Sequence, residues 1–267
     1  MAQPDPSHIR EPSAPRFALE HVTSRYVEGR QRLTALQDVS LAVQPGEFVS
    51  VVGPSGSGKS TLLDIVAGLL SPDAGQVTMC GWPTTAAERL GQAAYMRQRD
   101  LLVPWRTTLG NAALGLEATG VTRRAAETAA AAQLPRYGLG EFAGAYPSQL
   151  SGGMRQRCAV LRTLLPRRDL VLLDEPFGAL DSLTRSELQL WLAEVLTEQT
   201  TTVLLVTHDV EEAVLLSDRV VILSPRPGQV RLDIAVQLPR PRQRDMLFAP
   251  AFLETRREIL GALGLTA

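Results

Sequence analysis

Gly53, Pro54, Ser55, Gly56, Ser57, Gly58, Lys59 and Ser60 fit the pattern G-x-x-x-x-G-K-[ST], a loop that cradles phosphates. Glycines at 53, 56 and 58 let successive backbone N–H groups turn inward into an anion-binding concavity. A helix opening at the end of the loop adds partial positive charge beneath the phosphates. Lys59 is expected to reach the β and γ oxygens, and the Ser60 hydroxyl to hold Mg²⁺. Pro54 and Thr61 complete the expected nucleotide-binding stretch. A flexible Gly/Ser loop would show the same glycines but not the flanking elements. Here the run at 47–52 reads as a short buried strand, and residues 61–68 read as a helix stopped by a glycine.

Leu170, Val171, Leu172 and Leu173 form a second apolar run, which ends in Asp174 and Glu175. Unbroken apolar runs suit parallel strands covered on both faces. Ligands in such sheets bind beyond the carboxyl ends of the strands, where these two acids fall. Adjacent strand residues point to opposite faces, so the acids divide the labour. Asp174 is the candidate for Mg²⁺, through water, because that ion keeps much of its hydration. Glu175 is the candidate for polarising an attacking water.

Leu150, Ser151, Gly152, Gly153, Met154, Arg155 and Gln156 form the third segment. Ser151 is a good N-cap, the two glycines allow close backbone approach, and helix formers follow. An ordinary capped helix has the same features. The order of the three segments decides the matter: with it the chain resembles the ATP-binding subunits of ABC transporters over residues 17–244.

That resemblance implies a dimer of two copies, head to tail, in which Ser151, Gly152 and Gly153 contact the γ-phosphate held by the other copy. It implies ATP and Mg²⁺ as cofactors. It also implies adenine stacking on Tyr26, Gln98 touching Mg²⁺ or the attacking water, Asp181 in the loop crossing between copies, and His208 at the γ-phosphate. With Glu175 and Lys59, Gln98 and His208 make the expected catalytic set. Two positions depart from the commoner form: Arg97, where relatives carry an apolar or small residue, and Gly178, where serine is frequent.

The elements that must position these residues follow from composition. Lys59 and Asp174 are 115 positions apart (174 − 59), which leaves room for an inserted unit. Residues 108–134 are helix-rich, especially the Ala-rich stretch at 124–133. The expected fold is α/β: a P-loop NTPase cassette of the ABC type at 17–244, with an antiparallel β subdomain and a helical subdomain inserted at about 97–165. A disordered tail is expected at 1–16 and a helical tail at 245–267.

Net charge of −1 gives no electrostatic footprint for nucleic acid. The arginines at 155, 157, 162, 167 and 168 read as a solvated helix face. Two cysteines far apart, Cys80 and Cys158, suit a reducing compartment and no metal site. No stretch approaches a membrane-spanning length, and the start lacks a signal-peptide apolar region.

Asp100, Leu101, Leu102, Val103, Pro104, Trp105 and Arg106 resemble the nitrate/sulfonate/taurine branch of bacterial importers, and also subunits serving pyrimidine precursors of thiamine. Ser224, Pro225, Arg226, Pro227 and Gly228, followed by Leu238, Pro239, Arg240, Pro241 and Arg242, carry the likeness to the nitrate/sulfonate/taurine branch. This likeness implies membrane permease partners, a separate periplasmic or lipid-anchored solute-binding protein, and a peripheral place on the cytoplasmic face of the membrane. Trp105 would dock on the permease, or else fill the core of the insert. The rival class is a soluble ABC-type ATPase of DNA repair or translation. Such proteins carry long coiled coils or two cassettes per chain, whereas here one cassette is present without sustained heptads.

Overall fold

The computed structural model describes residues 14–28, 31–178, 180–197, 201–240 and 242–265. The tail expected to be disordered lies outside these residues up to position 13. At its end, the Arg16 N–H already donates to the Val43 carbonyl at 2.8 Å.

Two long strands open the chain, β1 (Phe17–Glu28) and β2 (Gln31–Val43). They are followed by β3 (Phe48–Val52), α1 (Lys59–Val66), β4 (Ala74–Met79), β5 (Trp82–Pro83), α2 (Ala86–Arg89) and β6 (Ala94–Met96). Three helices come next, α3 (Thr108–Glu117), α4 (Arg123–Gln133) and α5 (Gly152–Leu164). The last third alternates β7 (Leu170–Asp174), α6 (Ser182–Thr197), β8 (Thr202–Thr207), α7 (Val210–Leu216) and β9 (Arg219–Leu223). It ends with β10 (Val230–Ala235) and α8 (Pro250–Ala262).

The strands make two sheets. One is antiparallel, in the order β2-β1-β4-β5; the other runs β10-β9-β3-β8-β7-β6 and is parallel apart from its edge strand β10. The composition of β3, β7 and β8 explains their central place. All their residues are buried, as strands covered on both faces require. β10, at the edge, alternates half-buried with exposed residues.

Strand periodicity sorts the core into layers. Val49 and Val51 of β3, with Leu170 and Leu172 of β7, face the antiparallel sheet and α1, meeting Phe17, Leu36, Leu62 and Ile65. The alternate residues Val171 and Leu173 face α3 to α6. In α4, Ala126 and Ala130, one turn apart, are fully buried against that layer. On a third flank Val52 and Ile222 pack with Val214 of α7 and with Phe252 and Ile259 of α8.

In this sheet β3, β8, β7 and β6 are successive neighbours, with Val52 opposite Thr207, Val206 opposite Asp174 and Leu173 opposite Met96. Their carboxyl ends therefore lie in one row. The segments that follow them carry Gly53, His208, Glu175 and Gln98. Topology thus brings four distant stretches to a single edge.

Candidate functional site

The phosphate loop turns between β3 and α1. Gly58 caps the helix at φ 89°, a left-handed conformation that side chains rarely take. A Cβ there would sit 2.6 Å from Leu36 Cδ2 and 2.8 Å from the Ala35 carbonyl, so only glycine fits. Lys59 is 6% exposed, and its ammonium donates to the Gly53 carbonyl at 2.8 Å and to that of Pro54 at 3.0 Å. Burial lowers its pKa, against the opposing pull of Glu175 and Asp174.

At the helix start, the Ser60 hydroxyl donates to Asp174 Oδ1 at 3.2 Å. Asp174 is 5% exposed, and burial raises its pKa while the Ser60 hydrogen bond lowers it. A hydroxyl and a carboxylate so placed are hard oxygen donors of the kind Mg²⁺ takes. Among the described residues, no cluster of three His, Cys, Asp or Glu side chains could hold a metal unaided. An ion at this edge would complete its shell with water and phosphate oxygens, which is the habit of Mg²⁺.

Glu175 directly follows β7 at φ 45°, another left-handed backbone and one uncommon for a residue with a side chain. Its N–H donates to the Val206 carbonyl at 2.8 Å, which holds the turn. Two groups converge on its Oε2: Gln98 Nε2 donates to it at 3.1 Å, and His208 Nδ1 lies 3.1 Å away. Behind His208, Asp209 caps α7 by accepting from the N–H groups of Glu211 and Glu212.

The departures found in the sequence have local accounts. Arg97 lies 3.0 Å from Asp64 Oδ1 and stacks over the Tyr95 ring at 4.7 Å from its centroid. A Cβ at Gly178 would make ordinary contact with the Glu175 carbonyl and Oε2 at 3.5 Å. The arginines do not form a uniformly solvated face, which corrects that expectation. Arg162 donates to the carbonyls of Leu101 and Asp100, and Arg155 to that of Leu150. Arg155 also lies 3.4 Å from Asp100 Oδ2. These contacts tie α5 to the segment after Gln98, a coupling that arginine spacing alone does not disclose.

A cleft of about 810 Å³ gathers several of these groups, a volume suited to a nucleotide; Gly53, Pro54, Ser57 and Asp174 lie outside its lining. It is lined by Ser55, Gly56, Gly58, Lys59, Ser60, Thr61, Gln98, Glu175 and His208. Tyr26 lies at one end, half exposed, sharing a hydrogen bond with Thr61 Oγ1 at 3.0 Å. Val27, Leu33, Ala35 and Arg226 also line it. None of these four was singled out as a nucleotide contact from the sequence, and no motif spacing marks them.

Ser151, Gly152, Gly153 and Asp181 are not among the lining residues. Ser151 caps α5, its hydroxyl accepting from the Met154 N–H at 3.2 Å. Asp181 accepts from the Thr184 N–H at 3.0 Å. The two turns are neighbours, since a Cβ on Gly152 would touch Leu180 and one on Gly153 would crowd Thr184. They form a second polar surface, outside the cleft of their own chain.

Fold and site together define a nucleotide-hydrolysing cassette, and comparison with known proteins gives the family. The profile described as ABC transporter matches residues 36–178, more than half of the chain. An aliphatic sulfonates import ATP-binding protein of Rhodococcus jostii is 49% identical over 79% of this chain and 81% of its own length. A nitrate import ATP-binding protein of Synechococcus elongatus is 43% identical over 92% of this chain but 38% of its own, longer length. Among solved structures, a dimeric post-hydrolysis state of the ATP-binding cassette MJ0796 bound to ADP and Pi superposes with a TM-score of 0.72. It shares 32% identity and covers 84% of this chain and all of that one. The chain belongs to the ABC transporter ATP-binding family and is an ATPase of that class.

Proposed function

We propose that this chain is the ATP-hydrolysing subunit of an importer and works as a head-to-tail pair of copies. One observation carries the reading. Lys59, Ser60, Gln98, Glu175 and His208 share one cleft, while Ser151, Gly152, Gly153 and Asp181 form a neighbouring surface that contributes nothing to it. A chain alone has a cradle without a lid; the second copy supplies the lid. The dimeric state of the cassette MJ0796 supports the arrangement.

In that reading Tyr26 stacks on adenine. Residues 53–61 hold the phosphates through backbone N–H groups and Lys59. Ser60, Asp174 and Gln98 would hold Mg²⁺, which when bound neutralises charge on the β and γ oxygens. Glu175 polarises the attacking water. Gln98 and His208, both at Glu175 Oε2, fix its carboxylate, and His208 turns toward the γ-phosphate once the lid closes. Catalysis is mostly positioning, so a site completed only on closure turns over only when closed.

The unit boundaries belong to the same proposal: a cassette at 17–244, a helical insert at about 97–165 and a helical tail at 245–267. Among the described residues no helix is long and apolar enough to cross a membrane. In this reading transport uses separate permease subunits, which the import names of the relatives support, and, indirectly, a periplasmic or lipid-anchored solute-binding protein. This chain would sit at the cytoplasmic face of the membrane. Trp105 supports a docking surface there. It is 79% exposed, so it does not fill the core of the insert. Its loop is pinned by Asn111, whose Oδ1 accepts from the Val103 N–H at 2.7 Å and whose Nδ2 donates to the Arg106 carbonyl at 3.0 Å.

The named relatives support a small oxyanion as solute, an aliphatic sulfonate or a nitrate, and a taurine import ATP-binding protein of Rhizobium johnstonii, 42% identical over 87% of this chain, adds taurine; a pyrimidine precursor of thiamine rests on the sequence resemblance alone. Affinity purification from detergent-solubilised membranes tests the function. Recovery of a polytopic permease, with ATP-dependent uptake of a sulfonate or nitrate after reconstitution, is the expected result. Recovery of ribosomes or DNA instead would establish the soluble rival.

A further inference from the structure

The segment Ser224, Pro225, Arg226, Pro227 and Gly228 between β9 and β10 has no part in the mechanism above. It nevertheless braces the phosphate loop. The Gly228 N–H donates to the Ala35 carbonyl at 2.9 Å, and the Gln37 N–H to the Gly228 carbonyl at 2.9 Å. Gly228 is pressed so close that a Cβ would lie 2.0 Å from the Ser57 carbonyl oxygen. Ser224 fixes the rest of the turn: its hydroxyl donates to the Pro227 carbonyl at 2.7 Å and accepts from the Gln229 N–H at 3.0 Å.

This framework sets the backbone of Arg226 beside the loop. Arg226 is exposed, and its side chain lines the cleft that holds Lys59. Its Nε approaches the Gly56 carbonyl at 3.4 Å, a long contact, and among the described residues no carboxylate lies within ion-pair distance of it. Lys59 and Arg226 are the only lysine and arginine side chains lining that cleft among the described residues. A Mg²⁺-bound triphosphate keeps net negative charge after one ammonium has paired with it. A guanidinium is permanently charged and presents several donors in a planar fork suited to phosphate.

We infer that Arg226, presented by the Ser224-to-Gly228 turn, is a second cationic contact to the polyphosphate of bound ATP. The inference rests on the reading of this cleft as the ATP site. The turn works as a strut: Gly228 fixes the position of the loop, and Arg226 reaches over Gly56 to the phosphates from the solvent side. Arg226 is expected to act on affinity for the polyphosphate and to leave recognition of the base to Tyr26.

Isothermal titration of the full chain with ATP and with AMP, in a Glu175→Gln background that holds ATP unhydrolysed, tests this. Arg226→Ala is expected to weaken ATP about fivefold and AMP by less than twofold. The ATP deficit should shrink as ionic strength rises, because the contact is exposed. Arg226→Gln, which keeps the stem, is expected to show the same loss, and Arg226→Lys to recover part of it. Unchanged ATP affinity in Arg226→Ala, or an equal loss for AMP, overturns the inference. Lys59→Ala serves as the control for the site itself: if it too bound ATP like the parent protein, the cleft would not be the ATP site at all.

Discussion

His208 Nδ1 and Gln98 Nε2 meet at one atom, Glu175 Oε2, each at 3.1 Å. Two segments far apart in sequence thus hold one carboxylate oxygen, at a residue whose backbone is itself left-handed at φ 45°. A surface acid with no task would not need two polar partners and an uncommon backbone conformation.

Glu175→Gln keeps the shape and the neighbours of that side chain and removes only the carboxylate charge. Turnover is expected to fall at least about a hundredfold, the usual contribution of a general base. ATP affinity should change little, because the phosphate loop and Lys59 are untouched. Steady-state phosphate release and a nucleotide titration read the two effects separately. Hydrolysis at the parental rate would remove Glu175 from the role.

The separation of Ser151 from the cleft has a consequence for mixed dimers. If two copies pair head to tail as proposed, Lys59→Ala damages the cradle and Ser151→Arg the lid, so each homodimer has two broken sites. A dimer holding one copy of each has one cleft with both faults and one with neither. Equal mixing is expected to restore about a quarter of parental activity: half of the dimers are mixed, each with one of its two sites intact. Activity no higher than either parent, with normal pairing by sedimentation, would refute the shared site.

Much of this site was legible because its chemistry needs particular residue types at fixed spacing. Gly53 to Ser60, and Asp174 with Glu175, announce themselves from short windows, as does the separate surface of Ser151 to Gly153. The buried strands β3 and β7 were equally legible, since strands covered on both faces read as nearly continuous apolar runs. Arg226, Leu33 and Ala35 were not, because they enter the cleft through sheet geometry rather than through a local pattern. The arginines of α5 were misread for a related reason. Their charge suggests solvent, but Arg162 satisfies two carbonyls 61 and 62 positions away, a pairing no helical periodicity encodes.

Glu212 gives a pH dependence of stability. It is 3% exposed, Thr207 Oγ1 donates to its Oε2, and its Oε1 has no partner among the described residues. Burial, with smaller contributions from Asp209 and Glu175, pushes its pKa from 4.5 up to about 8, against the Thr207 hydrogen bond and Arg185. Between those values the native state keeps a proton that the unfolded state has released. Its contribution to stability is therefore fully present below pH 4.5 and lost as pH rises to about 8. Glu212→Gln cannot ionise. Its melting temperature relative to the parent is expected to rise from pH 5 to pH 8 and to level off above, as scanning calorimetry across that range can measure. A constant difference would show that Glu212 stays ionised when buried.

The strut at Gly228 makes a stability prediction independent of Arg226. A methyl group there would lie 2.0 Å from the Ser57 carbonyl oxygen, a backbone atom that cannot swing aside as a side-chain tip can. Overpacking of this kind costs about 1–3 kcal/mol. Gly228→Ala is expected to lower the melting temperature by about 5 °C, given the usual few degrees per kcal/mol for a domain of this size. Because the displaced atom belongs to the phosphate loop, ATP affinity should fall with it. Gly144→Ala, where a Cβ meets nothing within 4 Å, is the matched control and should change neither. A Gly228→Ala protein that melted lower yet bound ATP unchanged would show that the turn supports the fold without shaping the phosphate loop.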